Sequence, residues 1–156
     1  MKKSIFFILF SVFLCVLLTA QSADSVTRML DAKTVTFDEV AYFAVTYLNS
    51  GKEEPDFENA AAELKASLTF PKLKNSGSAL NFKDFAYVCT RVWNLKGGLN
   101  YRLFQSPRYA LRELKALRFV PPFTDPDAYV SGRDMLYIMS RCARAAEERN
   151  NKEAPQ

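Results

Sequence analysis

Apolar residues recur at helical spacing along most of this chain, and three short polar motifs mark where helices are expected to begin. The motifs are TFDEVAY at 36–42, NFKDFAY at 81–87 and SGRDMLY at 131–137. In each motif, a residue that commonly caps helix N-termini stands three positions before an acid, which is the layout of a capping box. Apolar residues then follow on one face. The pattern predicts three amphipathic helices.

The second and third motifs belong to a longer repeat. Sliding the chain by 50 residues aligns 60–95 with 110–145 without a gap, and nine of the 36 aligned positions are identical, whereas chance gives about two. The identical pairs are Ala60/Ala110, Glu63/Glu113, Leu64/Leu114, Lys65/Lys115, Ala66/Ala116, Pro71/Pro121, Asp84/Asp134, Tyr87/Tyr137 and Arg91/Arg141. The motif at 36–42 is not preceded by a counterpart of the first half of this repeat. The sequence therefore predicts one half-unit followed by two full units.

Each full unit is predicted to hold two helices. The first begins after Asp56 or Ser106, which are both good caps, and Pro107 suits the first position of a helix. It runs toward the prolines at 71 and 121–122, which stop helices. A lone helical hairpin cannot bury its own apolar face, so neighbouring units are expected to cover one another. No stretch alternates like a β-strand, and the predicted fold class is all-α, built from helix-loop-helix repeats of about 50 residues.

The first 20 residues are typical of a signal peptide. Lys2 and Lys3 precede an apolar run at 5–18, and small residues follow at 19–20. The run is shorter than the roughly 20 residues that a membrane span needs, so cleavage is expected, and membrane contact only through an uncleaved signal segment. A lipoprotein modified at Cys15 is a weaker alternative, because no small residue directly precedes that cysteine.

The expected location is therefore periplasmic or extracellular, and the rest of the chain is predicted to form one helical repeat domain. Its divisions are a domain at 24–147, containing a half-unit at 34–50, unit one at 56–96 and unit two at 106–147, followed by a flexible charged tail at 148–156.

Charge and composition exclude several functions. Without Lys2 and Lys3, 19 basic residues face 17 acidic ones and are scattered along the chain, which argues against nucleic-acid binding. The chain has no histidine, the commonest general base and metal ligand. The acid pairs at 53–54 and 125–127 fit turns. We therefore expect no enzyme activity, no metal and no cofactor. A hydrolase using paired carboxylates is a remote alternative.

Two cysteines lie outside the predicted signal peptide. In an oxidising compartment Cys89 and Cys142 could form one disulfide that closes a loop of some fifty residues. The alternative is a pair of small buried side chains, because free cysteine is among the most buried residue types.

The two units resemble S-layer homology motifs, in which a helix with an Ala-x-x-x-Leu core is followed by a turn with a proline and by a second, capped helix. The segments are AAAELKASLTFPKLKNSGSALNFKDFAYVCTRVW at 60–93 and YALRELKALRFVPPFTDPDAYVSGRDMLYIMSRC at 109–142. The half-unit VTFDEVAYFAV at 35–45 matches only the second, capped helix of a unit, and it would be the third such helix in the chain. The run WNLKGGLNYRLFQSPRYALREL at 93–114 is also similar to uncharacterised exported proteins of spirochaetes.

The resemblance implies non-covalent anchoring to cell-wall polysaccharide, but this chain departs from the family at one position. The family's second helix opens with a Thr-Arg-Ala-Glu-like sequence whose arginine is tied to glycan binding. Here the matching positions hold Phe37, Phe82 and Gly132. The resemblance therefore supports the fold more strongly than it supports glycan binding.

The segment 96–109, KGGLNYRLFQSPRY, joins the two full units and is the main candidate for binding. Gly97 and Gly98 are expected to end the preceding helix in a left-handed conformation. The segment mixes aromatic rings with guanidinium groups, which suit a sugar, an anion or a partner protein. Its candidate residues are Tyr101, Arg102, Phe104, Arg108 and Tyr109. The alternative is a linker whose rings pack beneath the repeats.

A second candidate is the arginine at the same position of both units. Arg91 and Arg141 would form an anion site if they lined one groove, and they would be surface or capping residues near helix C-termini otherwise. Together these features predict an exported binding or scaffold protein of the cell envelope that holds a partner protein. Binding of cell-wall glycan is the alternative, and a homodimer is expected if a second copy completes the half-unit.

Overall fold

The computed structural model describes residues 27–49, 57–68, 70 and 77–153, and this part of the chain is built from helices. A short helical stretch at 27–31 precedes six helices, which we number α1 to α6. Their bounds are α1 Phe37–Leu48, α2 Phe57–Ser67, α3 Phe82–Val92, α4 Leu99–Phe104, α5 Pro107–Ala116 and α6 Gly132–Glu153. The described residues contain no β-strand, so the all-α prediction is confirmed for them. The predicted signal peptide, Cys15 and the cap Asp56 lie outside the described residues.

The three polar motifs begin helices α1, α3 and α6, as predicted. In each, the cap side chain accepts a hydrogen bond from the backbone N–H three residues later: Glu39 to Thr36 at 3.4 Å, Asp84 to Asn81 at 3.0 Å and Asp134 to Ser131 at 3.2 Å. The Thr36 motif is a complete capping box, because the backbone N–H of Thr36 also donates to Glu39 Oε2 at 2.7 Å. Ser106 and Pro107 open α5, although the Ser106 side chain makes no capping bond.

The residues just before the three caps are joined in a closed ring of backbone hydrogen bonds. Val35 N–H donates to the carbonyl of Val130 at 3.0 Å, Val130 N–H to Leu80 at 3.0 Å, and Leu80 N–H to Val35 at 2.8 Å. All three side chains are buried. The first turns of α1, α3 and α6 are therefore held around one point, although they are far apart in sequence.

The helices pack in pairs around this ring. Helix α1 packs against α2, and α3 packs against both α5 and α6. Leu64 of α2 and Leu114 of α5 are fully buried, as are Phe85 of α3 and Met135 of α6. The apolar faces predicted from helical spacing thus form one continuous core within the described residues.

Gly132, the first residue of α6, lies directly against the helical stretch at 27–31. Its N–H donates to the carbonyl of Ala32 at 2.9 Å, and Arg133 Nε donates to the carbonyl of Leu30 at 3.4 Å. A Cβ on Gly132 would lie 1.5 Å from the carbonyl oxygen of Met29. Only glycine therefore lets the backbone of this stretch approach so closely.

The ends of α3 and α5 differ from the predicted ones. After α3, Asn94 adopts a left-handed conformation (φ 45°) and Leu95 N–H donates to the carbonyl of Thr90 at 3.1 Å, which is a Schellman motif. After α5, Arg118 is the left-handed residue (φ 59°), so this helix ends before it reaches Pro121. The expectation that Gly97 and Gly98 end α3 is wrong, because α3 has already ended at Val92 and neither glycine is left-handed.

Helix α6 continues past the predicted boundary of unit two at 147. It runs to Glu153, so residues 148–153, assigned from composition to a flexible tail, are helical. Arg149 Nη1 donates to the carbonyl of Asn94 at 2.6 Å. This bond ties the charged end of α6 to the turn that follows α3, which the local sequence alone does not indicate.

Cys89 of α3 and Cys142 of α6 are both fully buried free thiols. Burial, together with the neighbouring Cys142 thiol, raises the pKa of Cys89 well above its ordinary value. The two cysteines therefore act as small core residues where α3 meets α6, as the packing alternative expected. A disulfide between them stays a prediction.

Replacing Gly132 by alanine is expected to lower the free energy of unfolding by about 1–3 kcal/mol, because the added methyl collides with a backbone oxygen that cannot rotate away. Urea unfolding followed by circular dichroism measures this change. Gly98→Ala is the matched control, because its Cβ would meet only the flexible Glu113 carboxylate, at 3.2 Å, and should change stability by less than about 0.5 kcal/mol. Equal effects of the two substitutions would contradict the close approach.

The raised pKa of Cys89 predicts a loss of stability at alkaline pH. The folded protein retains a thiol proton that the unfolded chain releases, so this contribution is complete below the unfolded pKa of about 8.5 and declines as pH rises further. Ionisation of this one group can lower the free energy of unfolding by at most about 1.4 kcal/mol per pH unit. Urea unfolding between pH 7 and 11 measures it.

In Cys89→Ala the decline should begin about 1.5 pH units higher, where tyrosines ionise. Burial also raises the pKa of Tyr101 and of Tyr47. The same onset in both proteins would show that Cys89 keeps an ordinary pKa.

Candidate functional site

The segment 96–109 is partly helical rather than a plain loop. It contains α4, Leu99–Phe104, and the first residues of α5, which begins at Pro107. Gln105, with φ 38°, ends α4 and turns the chain into α5. The five candidate residues of this segment therefore lie on two short, fixed elements.

An open cleft of about 880 Å³ lies where the end of α3 and the following turn meet α4. Its lining includes three of the seven predicted binding residues, Arg91, Tyr101 and Arg102. Lys96 and Gln105 complete its polar wall, and Arg91 Nη1 donates to Gln105 Oε1 at 3.4 Å. None of the described residues that line the cleft is acidic. Three of its described lining residues, Arg91, Lys96 and Arg102, are cationic.

Tyr101 fixes α4 onto α3. Its side chain is 7% exposed, and its hydroxyl lies 2.7 Å from Thr90 Oγ1, which itself donates to the carbonyl of Tyr87 at 3.0 Å. Because a threonine hydroxyl has only one hydrogen, Tyr101 must donate in this pair. Gly97 makes room for the ring, since a Cβ there would lie 2.6 Å from Tyr101 Cδ1. The hydroxyl of Tyr101 is thus used within the protein, and its ring forms part of the cleft wall.

Phe104 and Tyr109 stack on each other where α4 meets α5. Their ring centroids are 5.4 Å apart with an angle of 19° between the planes, and the Arg112 guanidinium lies 5.7 Å from the Tyr109 ring. Arg108, the remaining candidate of this segment, is exposed and adds a small positive potential at Asp127, whose pKa is lowered mainly by Lys83. The two rings thus stack on each other, while Phe104 remains more than half exposed.

Arg141 has different surroundings from Arg91. Its guanidinium lies 5.3 Å from the centroid of Phe119 and 5.9 Å from that of Tyr137. It is not among the residues that line the cleft, where Arg91 lies. The structure therefore does not bring the two arginines together there, and Arg141 is a residue that packs on aromatic rings.

Sequence reasoning missed two residues of the surface beside the cleft. Leu99 and Leu103 are 71% and 67% exposed, and Phe104 beside them is 56% exposed. We call Leu99, Leu103 and Phe104 the α4 patch. The signal was available, because leucines four residues apart share a helix face, but α4 has only six residues and is too short for periodicity to reveal it.

The search for related proteins adds no family. No protein-family model, no curated protein and no solved structure matches this chain. The resemblance to S-layer homology motifs therefore stays a prediction. Among the described residues, no helix is long and apolar enough to cross a membrane, and no cluster of three or more metal-ligating side chains occurs.

The bond between Tyr101 and Thr90 predicts a measurable coupling. Tyr101→Phe should lower the free energy of unfolding by about 0.5–1.5 kcal/mol, because it removes one buried hydrogen bond and keeps the ring. Thr90→Val should also destabilise the protein. The double variant should lose less than the sum of the two losses, which thermal or urea unfolding can measure.

Additive losses would show that the two hydroxyls do not interact. Tyr109→Phe is the control, since the half-buried ring of Tyr109 stacks on Phe104 of α4. It should show no coupling to Thr90→Val.

Proposed function

We propose that this protein is an exported, non-enzymatic binding or scaffold protein of the cell envelope that holds a partner protein on the α4 patch and the adjoining cleft. The observation that carries the proposal is the exposure of Leu99 and Leu103 beside a cleft lined by cations. Exposed apolar side chains that are contiguous and rimmed by polar residues are typical of protein-binding surfaces. The basic start and apolar run of the first 20 residues support export.

A repeat architecture supports this proposal, since the patch lies on the segment inserted between two units. Helices α2 and α5 begin at residues 57 and 107, and α3 and α6 begin at 82 and 132, so both pairs are 50 residues apart. The backbone ring joins the matching residues of the half-unit and both full units. These spacings favour the S-layer homology-like plan of one half-unit and two full units.

The positions that carry the family's arginine favour a protein partner over wall glycan. Phe37 is fully buried in the core, and Gly132 is pressed against the backbone of Met29. Neither can present a cation to a sugar. The candidate cations of this chain lie instead around α4, so the family's glycan site has no counterpart at these two positions.

A homodimer was expected because the half-unit at 34–50 lacks a first helix that a second copy could supply. The stretch at 27–31 lies against the start of α6, where the carbonyl of Leu30 accepts a bond from Arg133 and the carbonyl of the following Ala32 accepts one from Gly132. The start of α6 is thus in contact with an earlier segment of its own chain. The homodimer stays a prediction, and the solution mass tests it.

The proposed function is tested by photo-cross-linking of the purified protein in an envelope extract, run beside sedimentation with purified wall glycan. A photoreactive residue at position 100 of α4, next to the patch, should give a defined protein adduct. Leu103→Ser should reduce that adduct about tenfold or more, because a buried leucine contributes roughly 1.5–3 kcal/mol.

Phe123→Ser is the matched control, since Phe123 is 89% exposed on the turn between α5 and α6. It should leave the adduct unchanged. Sedimentation with wall glycan, and no protein adduct that depends on Leu103, would replace the partner protein by a glycan.

A further inference from the structure

We propose that Cys89 and Cys142 are joined by a disulfide in the exported protein, and that this bond forms while the chain folds and is then enclosed in the core where α3 meets α6. The inference rests on the export that is part of the proposed function, but not on the α4 patch or the cleft. It goes beyond that function by assigning a covalent modification to two residues that the binding surface does not use.

The structure brings the two cysteines to one place in the core. Cys89 lies in α3 and Cys142 in α6, these helices pack against each other, and both side chains are fully buried. The Cys142 side chain lies within hydrogen-bonding reach of the Cys89 thiol. A disulfide needs two side chains that face each other at close range, and this arrangement provides them. The structure shows the reduced form of the pair.

Packing alone does not require sulfur at either position. In the proposed repeat plan, Cys89 corresponds to Met139 of unit two and to Ala44 of the half-unit. Cys142 corresponds to Val92 of unit one. Those three residues are buried as well. Ordinary apolar side chains therefore fill the equivalent places, and what distinguishes the two cysteines is that they meet each other.

A covalent bond would strengthen a limited interface. Helix α6 packs less extensively on α3 than α5 does. The bond from Arg149 to the carbonyl of Asn94 is an exposed contact between the end of α6 and the turn after α3. A disulfide that closes a loop of some fifty residues restricts the unfolded chain, and the restriction is larger for longer loops. The disulfide would therefore hold α6 on α3 more firmly than these contacts do.

The oxidation is an exchange with a disulfide reagent, such as oxidised glutathione or a disulfide-carrying enzyme of the exported compartment. The thiolate of one cysteine attacks the disulfide of the reagent, releases one reagent thiol and leaves a mixed disulfide. The second cysteine attacks the protein sulfur of this mixed disulfide and releases the other reagent thiol. The two protein thiols thus lose two protons and two electrons, and the reagent disulfide takes them up.

Burial determines when this exchange can take place. The thiolate is the reacting form, and a reagent must reach it, but neither cysteine is exposed in the folded protein. Burial also raises the pKa of Cys89, so the folded protein keeps this thiol protonated. The exchange therefore occurs while the chain is still unfolded. The same burial afterwards shields the disulfide from reductants.

The first test counts thiols in cells that express the full chain with Cys15→Ala, so that only two cysteines can react. Cells are quenched in acid, and the denatured protein is treated with a maleimide that adds mass to each free thiol. Exported protein should carry no label, and two labels after reduction. Two labels without reduction would overturn the inference and leave binding on the α4 patch standing. Protein that is retained in the cytoplasm with two labels would overturn the inference and the export together.

The second test refolds the same purified protein from urea after reduction, with and without oxidised glutathione. With it, the mass should fall by two hydrogen atoms and Tm should rise by about 10 °C, because the unfolded chain is restricted. The alkaline loss of stability assigned to Cys89 should disappear, because the oxidised protein has no thiol proton there to release. Folded, reduced protein should keep both thiols in the same reagent.

Cys89→Ala is the matched control, and refolding it with oxidised glutathione should neither close a disulfide nor raise Tm. Circular dichroism verifies that this variant folds. If the unaltered protein forms only glutathione adducts, the two sulfurs do not meet and the inference is wrong. Equally fast oxidation of folded and unfolded protein would overturn the order in which the disulfide and the core form.

Discussion

The closed ring of backbone hydrogen bonds between Val35, Leu80 and Val130 is the constraint on which the rest of the structure depends. Buried backbone groups must find partners, and here each residue gives its N–H to one neighbour and its carbonyl to the other. The residue that follows each of these three in the sequence is a helix cap. Three helices therefore start from one buried point, and their apolar faces meet because their first turns are fixed relative to each other.

This arrangement explains which parts of the fold could be predicted from the sequence. The caps and the helical spacing act within a few residues, so α1, α3, α5 and α6 follow from local patterns. The left-handed Arg118 could not be read in the same way, because an arginine seldom adopts this conformation, whereas Asn94 is of a residue type that adopts it more readily at helix ends. The contact of Gly132 with Met29 joins residues about a hundred positions apart and leaves no local signal.

The candidate site was predicted only in outline, for a related physical reason. The segment 96–109, which its rings and guanidinium groups marked as a candidate, borders the cleft, since Tyr101 and Arg102 line it. Whether such a ring binds a ligand or attaches its own helix depends on what packs against it. The hydroxyl of Tyr101 is bonded to Thr90, so this residue attaches α4 to α3. The exposure of Leu99 and Leu103 is likewise a tertiary fact, because composition alone treats leucine as core.

The position of the α4 patch follows from what helices α1, α3 and α6 must do to fold. At their first turns the side chains are occupied by caps, by core packing at Phe37 and by the close approach at Gly132, so a substitution there acts on stability first. Helix α4 is attached differently, through one buried tyrosine and the room left by Gly97. Its outward residues contribute little to the core, because Leu99 and Leu103 remain mostly in solvent. The proposed binding surface on α4 can therefore differ in its side chains while the ring and the caps continue to hold the fold.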